Sequence, residues 1–325
     1  LAIVLALCAA VTPACTRDGG EAVTSDGQND AEISTVDATT AAPATTLDPA
    51  STTLPMPVLD PATCEDVPDP AAHPLGDLPI VLRPCTLPTE LAVSVVHAGT
   101  GRAAENGDTL IVDYTGIRSA DGELFDTSYL RGVPFDFVLG RGGVILGWDV
   151  GLLGTTAGSV VKLDVPADMA YGNTPPSEDI QPGDALTFMI EIRAVVAPVT
   201  AADAPLDLLV DPAVGTTTVG VVDTVVGDGA VVTPGTTAVV HALLVRGDNL
   251  TVLLNTWERS DPLQIVIADG QSLPGILTGL EGAHVGTTRI ITMPPDQAFG
   301  DAGEPTLGLP AAVDLIVVVE VVGVY

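Results

Sequence analysis

From about residue 87 onward, apolar and polar residues alternate with a period of two in several short segments. The clearest segments are 91–97, 109–117, 135–139, 159–165 and 186–196. In SVVKLDV (159–165), the apolar residues Val161, Leu163 and Val165 alternate with Lys162 and Asp164. This pattern predicts strands with one buried and one hydrated face, in a half-exposed antiparallel sheet.

Helical patterns are scarce between these strands. Asp121-Gly122 is a strong turn signal, and WDVGLL (148–153) is the stretch that could form a helix of one or two turns. We therefore expect an α+β module that is mostly β, with one short helix.

An internal repeat appears when the chain is shifted by about 128 residues. The shift aligns four glycines of the first copy with four of the second: Gly147 with Gly275, Gly151 with Gly279, Gly154 with Gly282, and Gly158 with Gly286. After one inserted residue, LTFMIEI (186–192) matches LIVVVEV (315–321). The repeat predicts two domains, 87–197 and 213–325, joined by a linker at 198–212 that is rich in Ala, Asp and Pro.

The first 61 residues differ from the rest. Residues 1–15 contain an apolar run too short to span a bilayer and end in Ala14-Cys15, which is typical of a secretory signal. A small residue before a cysteine resembles the lipobox of bacterial lipoproteins, so we expect Cys15 to carry a lipid; ordinary cleavage after Ala14 is the alternative. No Met precedes this run, and we expect the natural chain to begin further upstream. Residues 16–61, rich in Thr, Ala, Pro and Asp, predict a disordered linker.

Two cysteines remain once Cys8 leaves with the signal and Cys15 takes a lipid. In an exported protein, Cys64 and Cys85 would form a disulfide. Closing a loop of about 20 residues stabilises a fold by roughly 3 kcal/mol and would tie segment 62–86 to the first domain. Neither cysteine has a Cys or His at metal-ligand spacing, so we expect no metal site.

The charge excludes one class of partner. The chain has 11 Lys and Arg against 42 Asp and Glu, for a net charge of −31. Nucleic acids and anionic lipid headgroups need clustered cations, and this chain has one lysine, Lys162. We expect no nucleic-acid binding and interpret the acidity as a solubilising surface.

Sequence blocks in the first copy carry a family resemblance. They are VDYTG (112–116), ELFDTS (123–128), PFDFVLG (134–140), VILGWDVGL (144–152) and AYGN (170–173), followed by LTFMIEI (186–192). In this order and spacing they resemble the FKBP-type peptidyl-prolyl cis-trans isomerases. The resemblance implies two FKBP-like domains, each a five-stranded antiparallel sheet wrapped around a short helix. It implies no cofactor.

The resemblance also implies a binding pocket for proline. Its walls and floor would be aromatic: Tyr114, Phe125, Phe135, Trp148 and Phe188. Val144 and Ile145 would line one edge and Ile180 the late loop, while Asp126 would accept hydrogen bonds at the rim. The Tyr171 hydroxyl and the Ile145 N–H would donate to a substrate carbonyl. None of these groups transfers a proton.

Some positions depart from the family pattern. Near the tip of the loop after Tyr171, Pro176 and Asp179 stand where the family often has a His and an aliphatic residue, respectively. Gly143 replaces an acidic residue. In the second copy, the pocket positions hold Ala242, Leu253, Leu254, Leu263, Ile276, Phe299 and Val317. We predict that residues 213–325 have no isomerase activity. Their aliphatic side chains either fill the pocket as core or form a shallow apolar groove for unfolded chain.

Together these patterns predict a prolyl isomerase that assists the folding of exported proteins, anchored by lipid to the outer face of a bacterial cell membrane. Its substrates would be proline-containing polypeptides, and macrolides would occupy the same pocket. The alternative is a non-catalytic surface binding protein or chaperone that recognises proline-containing or unfolded segments. A third interpretation is dimerisation through the second copy.

Overall fold

The computed structural model describes residues 63–66, 68, 79–209 and 211–325. The predicted signal segment, Cys15 and the linker at 16–61 lie outside these residues. Among the residues described, no helix combines the length and apolar character needed to cross a membrane.

The first copy forms one antiparallel sheet. Its strands are β1 (Ala92–His97), β2 (Thr109–Arg118), β3 (Leu124–Thr127), β4 (Phe135–Val138), β5 (Val160–Val165) and β6 (Leu186–Val196). The order is β1-β5-β6-β2, and β3 and β4 pair with successive parts of the far edge of β2. Six strands therefore occupy five positions, and the prediction of a mostly β module around one short helix is confirmed.

The helix α1 (Leu146–Gly151) lies directly on the sheet. It begins two residues before the predicted segment, because Ile145 already has the extended backbone of an N-cap. Gly147 and Gly151 are one turn apart and face the strands. A Cβ at Gly147 would lie 2.4 Å from a methyl group of Val165, and one at Gly151 would lie 3.0 Å from Leu163. The two glycines therefore let the helix approach closely enough to bury its tryptophan.

The prediction of a hydrated face on β5 was wrong. Lys162 and Asp164 are buried, with relative exposures of 1% and 7%. The described part of segment 63–85 covers them: the structure links Cys64 to Cys85 by a disulfide, and the Lys162 ammonium donates to the Glu65 carbonyl at 2.6 Å. Alternation along a strand identifies two faces, but a distant segment can cover the polar one. Val81 completes this cover by packing into an apolar cluster with Val96, Val160 and Met189.

The second copy repeats the first. Its strands are β7 (Gly220–Val225), β8 (Thr237–Arg246), β9 (Val252–Asn255), β10 (Leu263–Val266), β11 (Thr288–Met293) and β12 (Leu315–Val324), with helix α2 at Pro274–Leu280. The order is β7-β11-β12-β8, with β9 and β10 along the far edge of β8. The same topology in the same chain order confirms the internal repeat.

Much of the segment predicted as a linker, 198–212, packs on the outer face of the second sheet. It forms two 3₁₀ turns, Ala201–Asp203 and Leu206–Leu208, and the first begins with a capping box between Thr200 and Asp203. Ala204 enters an apolar cluster with residues of the sheet and of the 3₁₀ turn after β9: Leu243, Val245, Trp257, Ile316 and Val318. Each sheet is thus covered, on its outer face, by the segment that precedes it in the chain.

A buried histidine lies beneath this cover. His241 on β8 is fully buried, its ring centroid is 5.4 Å from that of Trp257, and its Nδ1 is 3.1 Å from the Thr256 hydroxyl. Its Nε2 has no hydrogen-bond partner among the described residues. Burial lowers the pKa of His241 below its ordinary value of 6.5, and the charge of Asp261 opposes this shift only in part. The folded protein therefore keeps the ring neutral.

We expect folding stability to decrease as the pH falls through about 6.5. At this pH His241 binds a proton in the unfolded chain, whereas its lowered pKa keeps it neutral in the folded chain. Denaturant titrations of the full chain between about pH 7.5 and 5.5 should show this slope, and His241→Gln should remove most of it. Above about pH 8, where histidine is neutral in both states, the two proteins should show parallel behaviour. Equal slopes for both proteins below pH 7 would contradict this assignment.

Candidate active site

Trp148 lies at the centre of an aromatic cluster on the inner face of the first sheet. Its ring centroid is 5.2 Å from those of Tyr114 and Phe188, at nearly perpendicular angles. Phe137 and Phe135 follow at 5.6 and 6.3 Å. Edge-to-face contacts of this kind stabilise aromatic clusters beyond the area they bury. The indole is almost fully buried beneath rings carried by strands β2, β4 and β6, and is therefore the candidate floor of a binding pocket.

A glycine on β2 makes room for the far wall. A Cβ at Gly116 would lie 2.7 Å from the Phe125 ring and 2.9 Å from the Phe188 ring. Phe125 and Phe188 therefore meet over this glycine, with centroids 5.6 Å apart and perpendicular planes. A larger residue at position 116 would displace both rings.

Phe137 is a wall residue that the sequence-based prediction omitted. It is buried, and it stacks against Phe135 at 5.7 Å. The signal was present in the pattern FDF, because residues two apart on a strand share a face. Phe135 itself keeps 37% of its surface exposed and lies at the mouth of the cluster.

The polar rim consists of Tyr114, Asp126 and Arg131. The Tyr114 hydroxyl donates to the Asp126 carboxylate and accepts a hydrogen bond of 2.8 Å from the Arg131 guanidinium. Arg131 also forms an ion pair with Asp126, and its guanidinium carbon lies 5.4 Å from the centroid of the Tyr114 ring. Burial, and then the hydrogen bond and charge of Asp126, raise the pKa of Tyr114, so the phenol stays protonated. The sequence-based prediction missed Arg131, since no motif marks a cation in the loop after β3.

The loop between β4 and α1 lies at another edge of the aromatic cluster and is held by hydrogen bonds. The Asp149 carboxylate on α1 accepts the N–H groups of Gly140 and Gly142 at 2.8 and 2.9 Å. This holds the loop that carries Val144 and Ile145, both of which pack against the core cluster. The Ile145 N–H donates no hydrogen bond within the described residues, so it remains available to a ligand carbonyl.

Tyr171 and Ile180 lie in the loop between β5 and β6, which borders the aromatic cluster. Tyr171 is half-buried against the core cluster, and its hydroxyl has no hydrogen-bond partner in the described part of the chain. Burial, together with the nearby charge of Asp126, raises the pKa of Tyr171 and keeps the hydroxyl a donor. Ile180 is buried in the core, whereas Pro176 and Asp179 lie exposed at the loop tip.

In the second copy the corresponding space is filled. Four of the aliphatic replacements are buried in one core cluster: Ala242, Leu263, Ile276 and Val317. Leu253, Leu254 and Phe299 pack against the same cluster. Arg259 occupies the position of Arg131, but it is exposed and faces neither a tyrosine nor a carboxylate at the equivalent positions. These contacts favour the interpretation that the second pocket has become core.

The fold and the cluster define a small, mostly β domain with a tryptophan at the centre of an aromatic cluster. Comparison with known proteins agrees. A family model described as FKBP-type peptidyl-prolyl cis-trans isomerase matches residues 100–193 and 229–322, together more than half of the chain. The chain belongs to this family.

Individual relatives match about a third of the chain. An FK506-binding protein from Streptomyces anulatus is 40% identical over 109 residues, which cover 33% of this chain and 88% of that protein. Peptidyl-prolyl cis-trans isomerase FKBP15-2 from Arabidopsis thaliana is 47% identical over 92 residues, covering 28% of this chain and 56% of that protein. The chain in the crystal structure of FkpA from Escherichia coli is 40% identical in sequence, and the match has a TM-score of 0.31. It covers 34% of this chain and 49% of the FkpA chain.

Removal of the rim arginine should impair turnover. In Arg131→Ala, Tyr114 and Asp126 lose a charge-assisted partner, and we expect kcat/KM for a proline tetrapeptide to fall by about fivefold, equivalent to about 1 kcal/mol. Arg259→Ala is the matched control at the repeat-related position and should leave the rate unchanged. Equal rates for both variants would show that Arg131 plays no part in catalysis.

Proposed function

We propose that the first copy catalyses the cis-trans isomerisation of X-Pro bonds in exported proteins, and that the second copy does not. The observation that carries this proposal is the tryptophan floor with its aromatic walls and its single polar rim. The second copy keeps the sheet and the helix but fills the equivalent space with aliphatic side chains.

The reaction requires rotation about an amide bond, and no bond is broken. The barrier is about 18 to 20 kcal/mol because rotation removes the resonance of the peptide group. A catalyst therefore has to bind the twisted amide more tightly than either planar form. The twisted amide has less charge separation than the planar one, so a dry aromatic cavity around Trp148 favours it.

Two donors could hold the carbonyl that precedes proline out of the amide plane. The Tyr171 hydroxyl and the Ile145 N–H flank the cluster without hydrogen-bond partners among the described residues. Donors placed in advance towards a carbonyl stabilise the transition state most effectively when water is excluded. Tyr114, Asp126 and Arg131 form the other side of the rim and would fix the orientation of the substrate backbone.

The same cavity would bind macrolides. Several relatives are named FK506-binding proteins. Since tacrolimus (FK506) and rapamycin carry a ring that mimics a prolyl group, the tryptophan floor that fits proline would also fit them. Inhibition by either compound would therefore report on occupancy of the first copy.

An exported, lipid-anchored location at the outer face of a bacterial membrane is the second part of the proposal. Its support is the signal-like segment ending at Cys15 and the pairing of Cys64 with Cys85. Disulfides persist in oxidising compartments outside the cytosol. The high negative charge would keep such a protein soluble at the cell surface.

The activity is tested with the full chain and a chromogenic proline tetrapeptide. We expect it to accelerate the cis-to-trans step, and Trp148→Leu should reduce kcat/KM by at least tenfold because the floor is lost. Ile276→Leu, the matched change in the second copy, should retain full activity, and circular dichroism should show both variants folded. A folded wild-type protein that binds a proline peptide without accelerating isomerisation would support the non-catalytic alternative.

The anchor is tested by cell fractionation of a bacterium that exports the natural protein. We expect the wild type in the membrane fraction, accessible to added protease in intact cells, and Cys15→Ser in the medium or in another soluble fraction. Cys8→Ser is the matched control and should stay with the membrane. Recovery of the wild type from the cytosol, or an unchanged distribution of Cys15→Ser, would overturn the proposed location.

A further inference from the structure

We propose that Arg193, backed by Tyr325 of the second copy, is a positioning residue for the catalytic rim, so that the second copy supports the active site of the first. The proposal deepens the proposed function, since it assigns the inactive copy a role in the same reaction. It rests on a continuous series of contacts from the boundary between the copies to the backbone of Tyr114.

The two copies meet through an apolar cluster. Ile111, Ala194 and Val196 on the first sheet pack with Val239 on β8, and Val322 and Tyr325 lie against them. The approach is close, because a Cβ at Gly323 would lie 3.1 Å from the Cβ of Ala194. The cluster therefore fixes the end of β12 against the end of β6.

Arg193 stands beside this cluster and holds two buried carboxylates. Its Nε donates to Asp113 at 2.7 Å, and its Nη1 donates to Glu191 at 2.6 Å. Both acids are only 7% exposed. Buried carboxylates are costly unless they are paired, so the arginine makes this cluster of charges tolerable.

The guanidinium of Arg193 also lies over the Tyr325 ring, and its Cζ atom is 5.7 Å from the ring centroid. Tyr325 is itself fixed within the second copy. Its hydroxyl donates to the Gln264 side chain at 2.8 Å, and its backbone pairs with Thr237 in both directions. A cation held over an aromatic ring and shielded from water is bound more strongly than one at an exposed site.

From Asp113 the contacts continue to the rim. The Ser128 hydroxyl donates to Asp113 at 2.6 Å and accepts the Tyr114 N–H at 2.9 Å. The Ser128 carbonyl accepts the N–H of Arg131 at 2.9 Å. Arg193 therefore anchors, through Asp113 and Ser128, both the strand that carries Tyr114 and the loop that carries Arg131.

A second branch supports the same loop. The Tyr129 hydroxyl donates to Glu191 at 3.3 Å, through the oxygen that Arg193 Nη1 does not contact. Two successive residues of the loop after β3 are thus tied to two acids that one arginine holds in place. The loop has little freedom to shift the rim unless Arg193 moves.

The repeat offers an internal comparison. In the second copy, Thr256 takes the place of Ser128: it accepts the N–H of Ala242 at 2.8 Å and lies 3.1 Å from His241, which replaces Asp113. The hydroxyl anchor therefore belongs to the fold. At the position of Arg193 the second copy has Val322, which packs in the cluster between the copies. The arginine occurs in the copy that has a polar rim.

The test measures kcat and KM separately in the full chain. Tyr325→Ala removes the ring beneath Arg193, and we expect kcat to fall by about threefold to fivefold with KM nearly unchanged. Tyr325→Phe keeps the ring and should restore kcat to within about 1.5-fold of the wild type. Arg246→Gln, which removes an exposed ion pair of the second copy, is the control and should not alter kcat.

A double-mutant cycle identifies the route. Arg193→Gln should lower kcat, and adding Tyr325→Ala to it should have no further effect, because both changes break the same series of contacts. The amide resonance of Tyr114 should shift in both single variants. A purely structural role would lower the denaturation midpoint while leaving kcat and this resonance unchanged.

Three results would overturn the proposal: an unchanged kcat in Tyr325→Ala, an equal loss in Tyr325→Phe, or additive losses in the double variant. Each requires an active wild-type protein. An inactive wild type would instead refute the proposed function, so the two failures are distinguishable.

Discussion

The candidate active site depends on how one short helix is held against the first sheet. Helix α1 has six residues, and a helix of that length is not stable alone in water. Its position therefore comes from tertiary contacts: two glycines that let it approach the strands, the rings around Trp148, and the Asp149 carboxylate that binds the preceding loop. The position of Trp148 and that of the loop before the helix are thus fixed together.

The second copy shows which of these constraints belong to the fold. Gly275 and Gly279 repeat the glycine pair, and a Cβ at either would lie within 2.6 Å of a side chain on β11. The tryptophan is absent, and Ile276 fills its place within an aliphatic core. The close approach of the helix to the sheet therefore belongs to the fold that both copies share, whereas the tryptophan and the rings around it belong to the first copy. An open cavity forfeits packing contacts, so the aliphatic side chains that fill the second copy stabilise it.

Sequence reasoning recovered five of the six strands of the first sheet, because alternation is a local pattern, but it did not mark β3. The aromatic cluster was recovered through the family resemblance. Alternation placed β5 and β6 within a residue of their observed bounds, and the family resemblance brought Trp148, Tyr114 and Phe188 together. It failed where a residue's environment is set by chain far away in sequence. Lys162 looked hydrated, yet a segment nearly a hundred residues earlier covers it. Arg131 had no motif, because its role depends on a loop that folds back over Tyr114.

The environment of Lys162 illustrates a constraint that also explains where two of the arginines lie. The chain has 42 acidic and 11 basic residues, so carboxylates outnumber the cations that could pair with them by almost four to one. Yet three of these cations lie beside carboxylates or carbonyl groups that are wholly or partly buried, and each contacts more than one such group: Lys162, Arg193 and Arg289. Exposed pairs contribute little, whereas a buried carboxylate without a partner is strongly destabilising. These three cations therefore join segments that are distant in sequence. Arg193 joins two acids of the first sheet to a ring of the second copy.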